Sequence, residues 1–197
     1  MNPFRKTKFS SLAEASKNPK NCKKLIIQFY DENLKNKGEI FSEFINLEVL
    51  EMQAHPSIYD LDDFEFPAEI GNLKKLKKVW FLNFPLKTFP EWISELKSLQ
   101  YLMVRGNDIE TIPDSISQLE KLKTLRIENC PLSKIPKTLN QMQNLQILGF
   151  SDTKLTDLSP NLFPNHLKEI NFSGTGIYNK EDLEYLKTKM PKTKIFP

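Results

Sequence analysis

The chain has 197 residues, 39% of them hydrophobic, and carries 13 prolines against 6 glycines, figures that fit one compact soluble domain with rigid turns. Its formal net charge of +3 is unevenly spread: residues 1–37 hold nine basic and three acidic side chains, 38–179 hold fourteen and nineteen, and 180–197 hold five and three. No segment approaches the length of a membrane span, and a mildly acidic middle between basic ends gives no sustained phosphate track, so nucleic acid is not an expected partner.

The start, MNPFRKTKFSSLAEASKNPKNCKKL, has basic residues but no apolar stretch behind them. It does not read as a secretory signal, and the cytoplasm is the expected compartment. Within it SSLAEASK, residues 10–17, offers serine as an N-cap and sets Leu12, Ala13 and Ala15 on one face of a short helix. Residues 1–21 are accordingly read as a helical cap, a lid over the first strand. Leu25 and Ile27 then mark a frayed opening strand, and Leu47, Leu50 and Met52 form the next ladder.

From there the chain keeps a 23-residue ruler. Phe66, Phe89, Ile112, Ile135 and Leu158 fall in one column, with Pro67, Pro90, Pro113 and Pro136 in the next. Further columns are Leu76, Leu99, Leu122 and Leu145; Val79, Leu102, Leu125 and Leu148; Phe81, Val104, Ile127 and Phe150; and Leu86, Ile109, Leu132 and Leu155. A last copy, one residue short, carries Leu167, Ile170, Phe172 and Ile177. Inside each copy the period changes: Ile116, Leu119 and Leu122 recur every third residue, as in a helical turn or two, and Leu125 and Ile127 alternate as in a strand. A proline such as Pro113, where the helical part starts, gives up only an amide hydrogen that would lack a partner anyway. One unit has too few apolar groups for its own core, so it must lean on a neighbour with the same face, and the result is a solenoid. After it, NKEDLEYLKTKM reads as a helix with Leu183 and Leu186 inward, and TKIFP as a final edge strand. Residues 179–197 are thus a second cap, and with both ends covered the chain reads as a complete small protein.

LQYLMVRGNDI and LKTLRIENCPL match the L-x-x-L-x-L-x-x-N/C-x-L signature, and the chain resembles the leucine-rich repeat proteins over about residues 22–178. With FPEWI and IPDSI at 23-residue spacing it is similar to their intracellular Ras-suppressor-like class. The resemblance implies an α/β leucine-rich-repeat solenoid: a right-handed superhelix of about six repeats plus a degenerate first strand. A parallel β-sheet would line its concave face and short helical or 3-10 segments its convex face. It also implies a protein that binds other proteins.

Two departures matter. The Asn position of the signature is filled in kind by Asn107 and Cys130, whereas His55, Phe84, Thr153 and Thr175 stand elsewhere. A hydroxyl such as that of Thr153 can satisfy the turn backbone, but Phe84 cannot, and a locally altered turn is expected there. The step from Leu47 to Leu76 is 29 residues, and the surplus, SIYDLDDFEF, carries Asp60, Asp62, Asp63 and Glu65 as the least regular loop of the array.

Chemistry is sparse. Cys22 and Cys130 lie four repeats apart, roughly 19 Å at ~4.8 Å per strand, too far for a disulfide. Cys130 is read as a buried ladder residue. His55 and His166 are also distant, so no catalytic constellation and no metal cluster assembles, and no cofactor is expected. SGTG at 173–176 lacks the lysine of a phosphate loop, and NFS at Asn171 carries a core residue in its middle; both read as structural.

Alternation sends the residues between the ladder positions to the concave face. The middle column runs Glu51, Trp80, Met103, Arg126, Gly149, Asn171; the following one Gln53, Leu82, Arg105, Glu128, Ser151, Ser173; the preceding one Val49, Lys78, Tyr101, Thr124, Ile147, Glu169. Trp80, Leu82, Tyr101 and Met103 cluster on two adjacent strands with Arg105 and Arg126 beside them, a composition enriched at interface hot spots. The same aromatics would also serve to shield the sheet, and Glu128 is within reach of both arginines. The expected function is a non-enzymatic scaffold that binds a protein or peptide on this face. The alternative is recognition of a glycan or envelope molecule by a secreted or surface form, since aromatic stacking suits sugars too. A monomer is the expected state, with the two terminal strands as the edges at which copies would pair.

Overall fold

The computed structural model describes residues 6–30, 38–54, 65–156, 158–176 and 180–197. Their strands are β1 (Lys8–Phe9), β2 (Lys24–Tyr30), β3 (Val49–Ala54), β4 (Lys78–Leu82), β5 (Tyr101–Arg105), β6 (Thr124–Glu128), β7 (Ile147–Gly149), β8 (Glu169–Asn171) and β9 (Lys194–Phe196). They form one parallel sheet whose spatial order is the chain order. Each repeat contributes a strand, a turn, and a short 3-10 segment on the far side of the core, which is the solenoid expected from the columns and the architecture that the leucine-rich-repeat resemblance implies.

The every-third spacing has a direct physical meaning, because a 3-10 helix has three residues per turn and stacks residues i and i+3 on one side. In Asp114–Gln118 the amide of Ile116 donates to Pro113 O, that of Leu119 to Ile116 O, and that of Leu122 to Leu119 O. The same chain of bonds repeats from Pro67, Pro90 and Pro136. The prolines sit one residue before the helical segment, in extended or near-extended backbone, so their carbonyls start the ladder while no amide is missed. Apolar residues thereby line one side of every turn, and Ile93, Leu96, Leu99 and their counterparts are buried.

Strands are joined by a recurring fork. Two consecutive amides donate to one carbonyl of the repeat before: Lys77 and Lys78 to Glu48 O, Gln100 and Tyr101 to Lys77 O, Lys123 and Thr124 to Gln100 O. Register is kept throughout, with Leu50, Val79, Leu102, Leu125, Leu148 and Ile170 side by side in the core. Leu47 and Leu76 stay in step despite the longer interval, since Val49 pairs with Lys78. His55 and most of the acidic stretch lie outside the described residues, as does Ile177.

The N-terminal end differs from the sequence expectation, whereas the helix and final edge strand expected at the C-terminal end are present. The segment expected to be a helical cap supplies α1 (Leu12–Ala15), N-capped by Ser11, but also β1, which pairs Lys8 with Lys24 and Phe9 with Leu25. The strand through Leu25 and Ile27 is not a frayed edge. It is seven residues long and has a neighbour on each side. Two residues are too few to show alternation, and β1 exists because Thr7 O accepts the amides of Lys23 and Lys24, the same fork as elsewhere. At the other end α2 (Lys180–Lys189) buries Leu186, leaves Leu183 half-exposed, and hands the chain to β9 beside β8.

Candidate functional site on the concave sheet face

The turn after each strand determines how the face is presented. Asn83, Gly106, Asn129, Asp152 and Gly174 all have positive φ, between 49° and 75°. The amides of Asn83, Gly106, Asn129 and Asp152 continue the sheet by one bond, donating to Arg105 O, Glu128 O, Ser151 O and Ser173 O. Asn, Asp and Gly are the residues that adopt this backbone at least cost, and their recurrence on the 23-residue ruler is a turn signal that the apolar columns do not contain.

One position later come the signature residues. Asn107 donates through Nδ2 to Arg105 O at 2.8 Å and to Phe81 O at 3.1 Å. Cys130 substitutes for it, its thiol donating to Glu128 O at 3.3 Å, and Thr153 donates to Phe150 O at 2.8 Å. The altered turn expected at Phe84 is absent. Asn83 keeps φ 61° and its inter-repeat bond, because the turn is held by the backbone. Phe84 is buried and meets Phe66 edge-on at 4.7 Å. Phe66 stacks on Phe81 at 4.2 Å, with Trp92 beside both. This aromatic core lies directly beneath β4.

Above it the strands set Lys78 beside Tyr101, Trp80 beside Met103, and Leu82 beside Arg105. Trp80 and Tyr101 tilt against each other with ring centroids 4.8 Å apart. Both, with Leu82 and Met103, are half-buried, whereas Lys78 and Arg105 are exposed. Trp80, Leu82, Met103 and Arg105, together with Glu51, Asn83 and Asn129, line a shallow depression of ≈ 470 Å³. Burial raises the Tyr101 phenol pKa, opposed by the Arg126 charge and a hydrogen bond with Trp80 and reinforced by Glu128, so the phenol is neutral near pH 7.

Arg126 occupies a different setting. It pairs with Met103 in register, but its guanidinium donates to Glu128 at 3.1 Å and reaches across β7 to Glu169 at 3.3 Å. Gly149 makes this passage possible, since a Cβ there would lie 2.9 Å from Arg126 Cγ. The structure thus brings Trp80, Leu82, Tyr101, Met103 and Arg105 together, while Arg126 is engaged within the molecule. Among the described residues no group of three or more His, Cys, Asp or Glu is placed to hold a metal ion, and no helix is long and apolar enough to cross a membrane.

A one-strand-per-repeat parallel array with a half-buried aromatic patch on its sheet face defines a class of repeat scaffold. The model of the leucine-rich repeat region matches residues 29–171, and the chain belongs to the leucine-rich repeat family. No curated protein matches it significantly in sequence. Among solved structures it is similar to internalin C2 of Listeria monocytogenes, at 19% identity and TM-score 0.67 over 97% of this chain and 76% of that one. It is similar to a leucine-rich repeat protein of Leptospira interrogans, at 19% and 0.59 over 97% of this chain and 58% of that one. A chain of the Drosophila Toll–Spatzle complex matches at 15% and 0.64 over 83% of this chain and 22% of that one. The chain therefore spans well under two thirds of the length of the Leptospira protein. Proteins of this family are typically non-enzymatic binding scaffolds.

Proposed function

We propose that this protein is a non-enzymatic recognition module that binds a protein or peptide on its concave sheet face, centred on Trp80 and Tyr101. The observation that carries the reading is the Trp80–Tyr101 pair, 4.8 Å between centroids, half-buried on neighbouring strands over a rigid aromatic core. Two rings already ordered lose little conformational entropy on binding, which is why such residues dominate interface energetics. The neighbour solved as part of the Toll–Spatzle complex supports the reading at the level of the fold.

The test is affinity capture from a lysate of the source organism with the wild type and with a Trp80→Ala, Tyr101→Ala variant matched in circular dichroism and melting temperature. A protein retained by the wild type and lost by the variant, and then shown to bind as a purified species at least about tenfold more weakly to the variant, supports the reading. Identical retention by both overturns it.

A further inference from the structure

The charges around the aromatic patch narrow the kind of partner it fits. On the three exposed columns of β3 to β8 the cations are Lys78, Arg105 and Arg126. Arg126 is paired with both Glu128 and Glu169. Lys78 and Arg105 are exposed, and among the described residues neither makes an ion pair. They stand at opposite ends of the patch. Lys78 opens β4 beside Tyr101, Arg105 closes β5 beside Leu82, and four residues of rise separate the two levels by about 13 Å. Of the nearby carboxylates, Glu51 lies beside Trp80 on β3 and makes no ion pair among the described residues, and Glu128, beside Arg105, is held by Arg126.

We infer that the concave site takes an acidic segment of a partner protein: an aromatic or aliphatic anchor over Trp80, Tyr101 and Met103, with carboxylates on either side reaching Lys78 and Arg105. This rests on the concave-face function and adds the partner's chemistry to it. In an extended segment a carboxylate spacing of about four residues matches the separation of the two cations. The single charge of Arg126 offsets one of the two carboxylates it holds, Glu128 and Glu169, and so reduces the repulsion that an incoming acid would meet.

The experiment is selection from a phage-displayed library of random dodecapeptides on the purified full chain, followed by affinity measurement with one synthetic selected peptide. It is run with the wild type, with Trp80→Ala, Tyr101→Ala, and with Lys78→Glu, Arg105→Glu, all matched in circular dichroism and melting temperature. The expected result is enrichment of Asp and Glu around a Trp, Phe or Leu. Binding should be lost with the aromatic variant, weakened about tenfold or more with the charge-reversed variant, and weakened by added salt. Peptides that need Trp80 and Tyr101 but show no acidic bias and bind the charge-reversed variant equally would overturn this inference and leave the concave-face reading standing. Peptides bound equally by the aromatic variant would overturn both. Failure to select any peptide overturns the acidic-segment inference, and the capture experiment then decides the concave-face reading alone.

Discussion

Gly106 has φ 65°, and a Cβ on it would come within 2.3 Å of Asn83 Oδ1 in the turn of the adjacent repeat. Two costs therefore add in Gly106→Ala, the left-handed backbone and the overlap. We expect a loss of about 1–3 kcal/mol in urea unfolding. In an Asn83→Gly background the overlap disappears, and the cost of the alanine should fall to about 1 kcal/mol. Equal losses in both backgrounds would mean that the two turns do not touch. Cys22 shows a second effect of local environment, since burial pushes its thiol up to about 11. The unfolded thiol titrates near ~8.5, so the stabilising difference is complete below that value and is lost as pH rises from there toward about 11. Cys22→Ala should gain in melting temperature relative to the wild type between about pH 8.5 and 10.5. A difference independent of pH would refute the assignment.

At the scale of the repeat, Phe84 tests whether the family signature or the local core decides stability. Asn107 shows what the signature residue does, donating to two backbone carbonyls. Restoring it by Phe84→Asn removes a buried ring from contact with Phe66. The cavity and the buried amide outweigh the hydrogen bonds gained, and a loss of about 2–4 kcal/mol is expected by chemical denaturation. A neutral or stabilising result would show that the aromatic core repacks. The 3-10 segments were legible as helical turns in the Ile116, Leu119, Leu122 spacing, because burial of every third residue is what that helix requires. β1 was not, since its two residues owe their conformation to a carbonyl fork with β2 rather than to any pattern of their own.

For the whole array, strand order equal to chain order means that each repeat packs on its immediate neighbours, and stability propagates along one dimension. Native-state hydrogen exchange should then be slowest in β4 to β6 and faster toward β1 and β9, where an end repeat opens with one interface broken instead of two. Uniform protection from end to end would indicate that α1 and α2 lock the array into a single cooperative unit.

The 23-residue ruler was enough to place the ladder residues, the sheet-face columns and the Trp80–Tyr101 neighbourhood, because each core position repeats the same burial requirement and alternation on a strand leaves no freedom in which side faces out. It was not enough to say which polar residues on that face are available. Arg126 and Arg105 look alike in the columns. One lies across Gly149 to meet Glu169 two strands away, and the other is exposed beside Leu82 and makes no ion pair among the described residues. That distinction depends on the reach of a side chain over a neighbouring glycine and on the charge it finds there, and such quantities exist only once the strands are side by side.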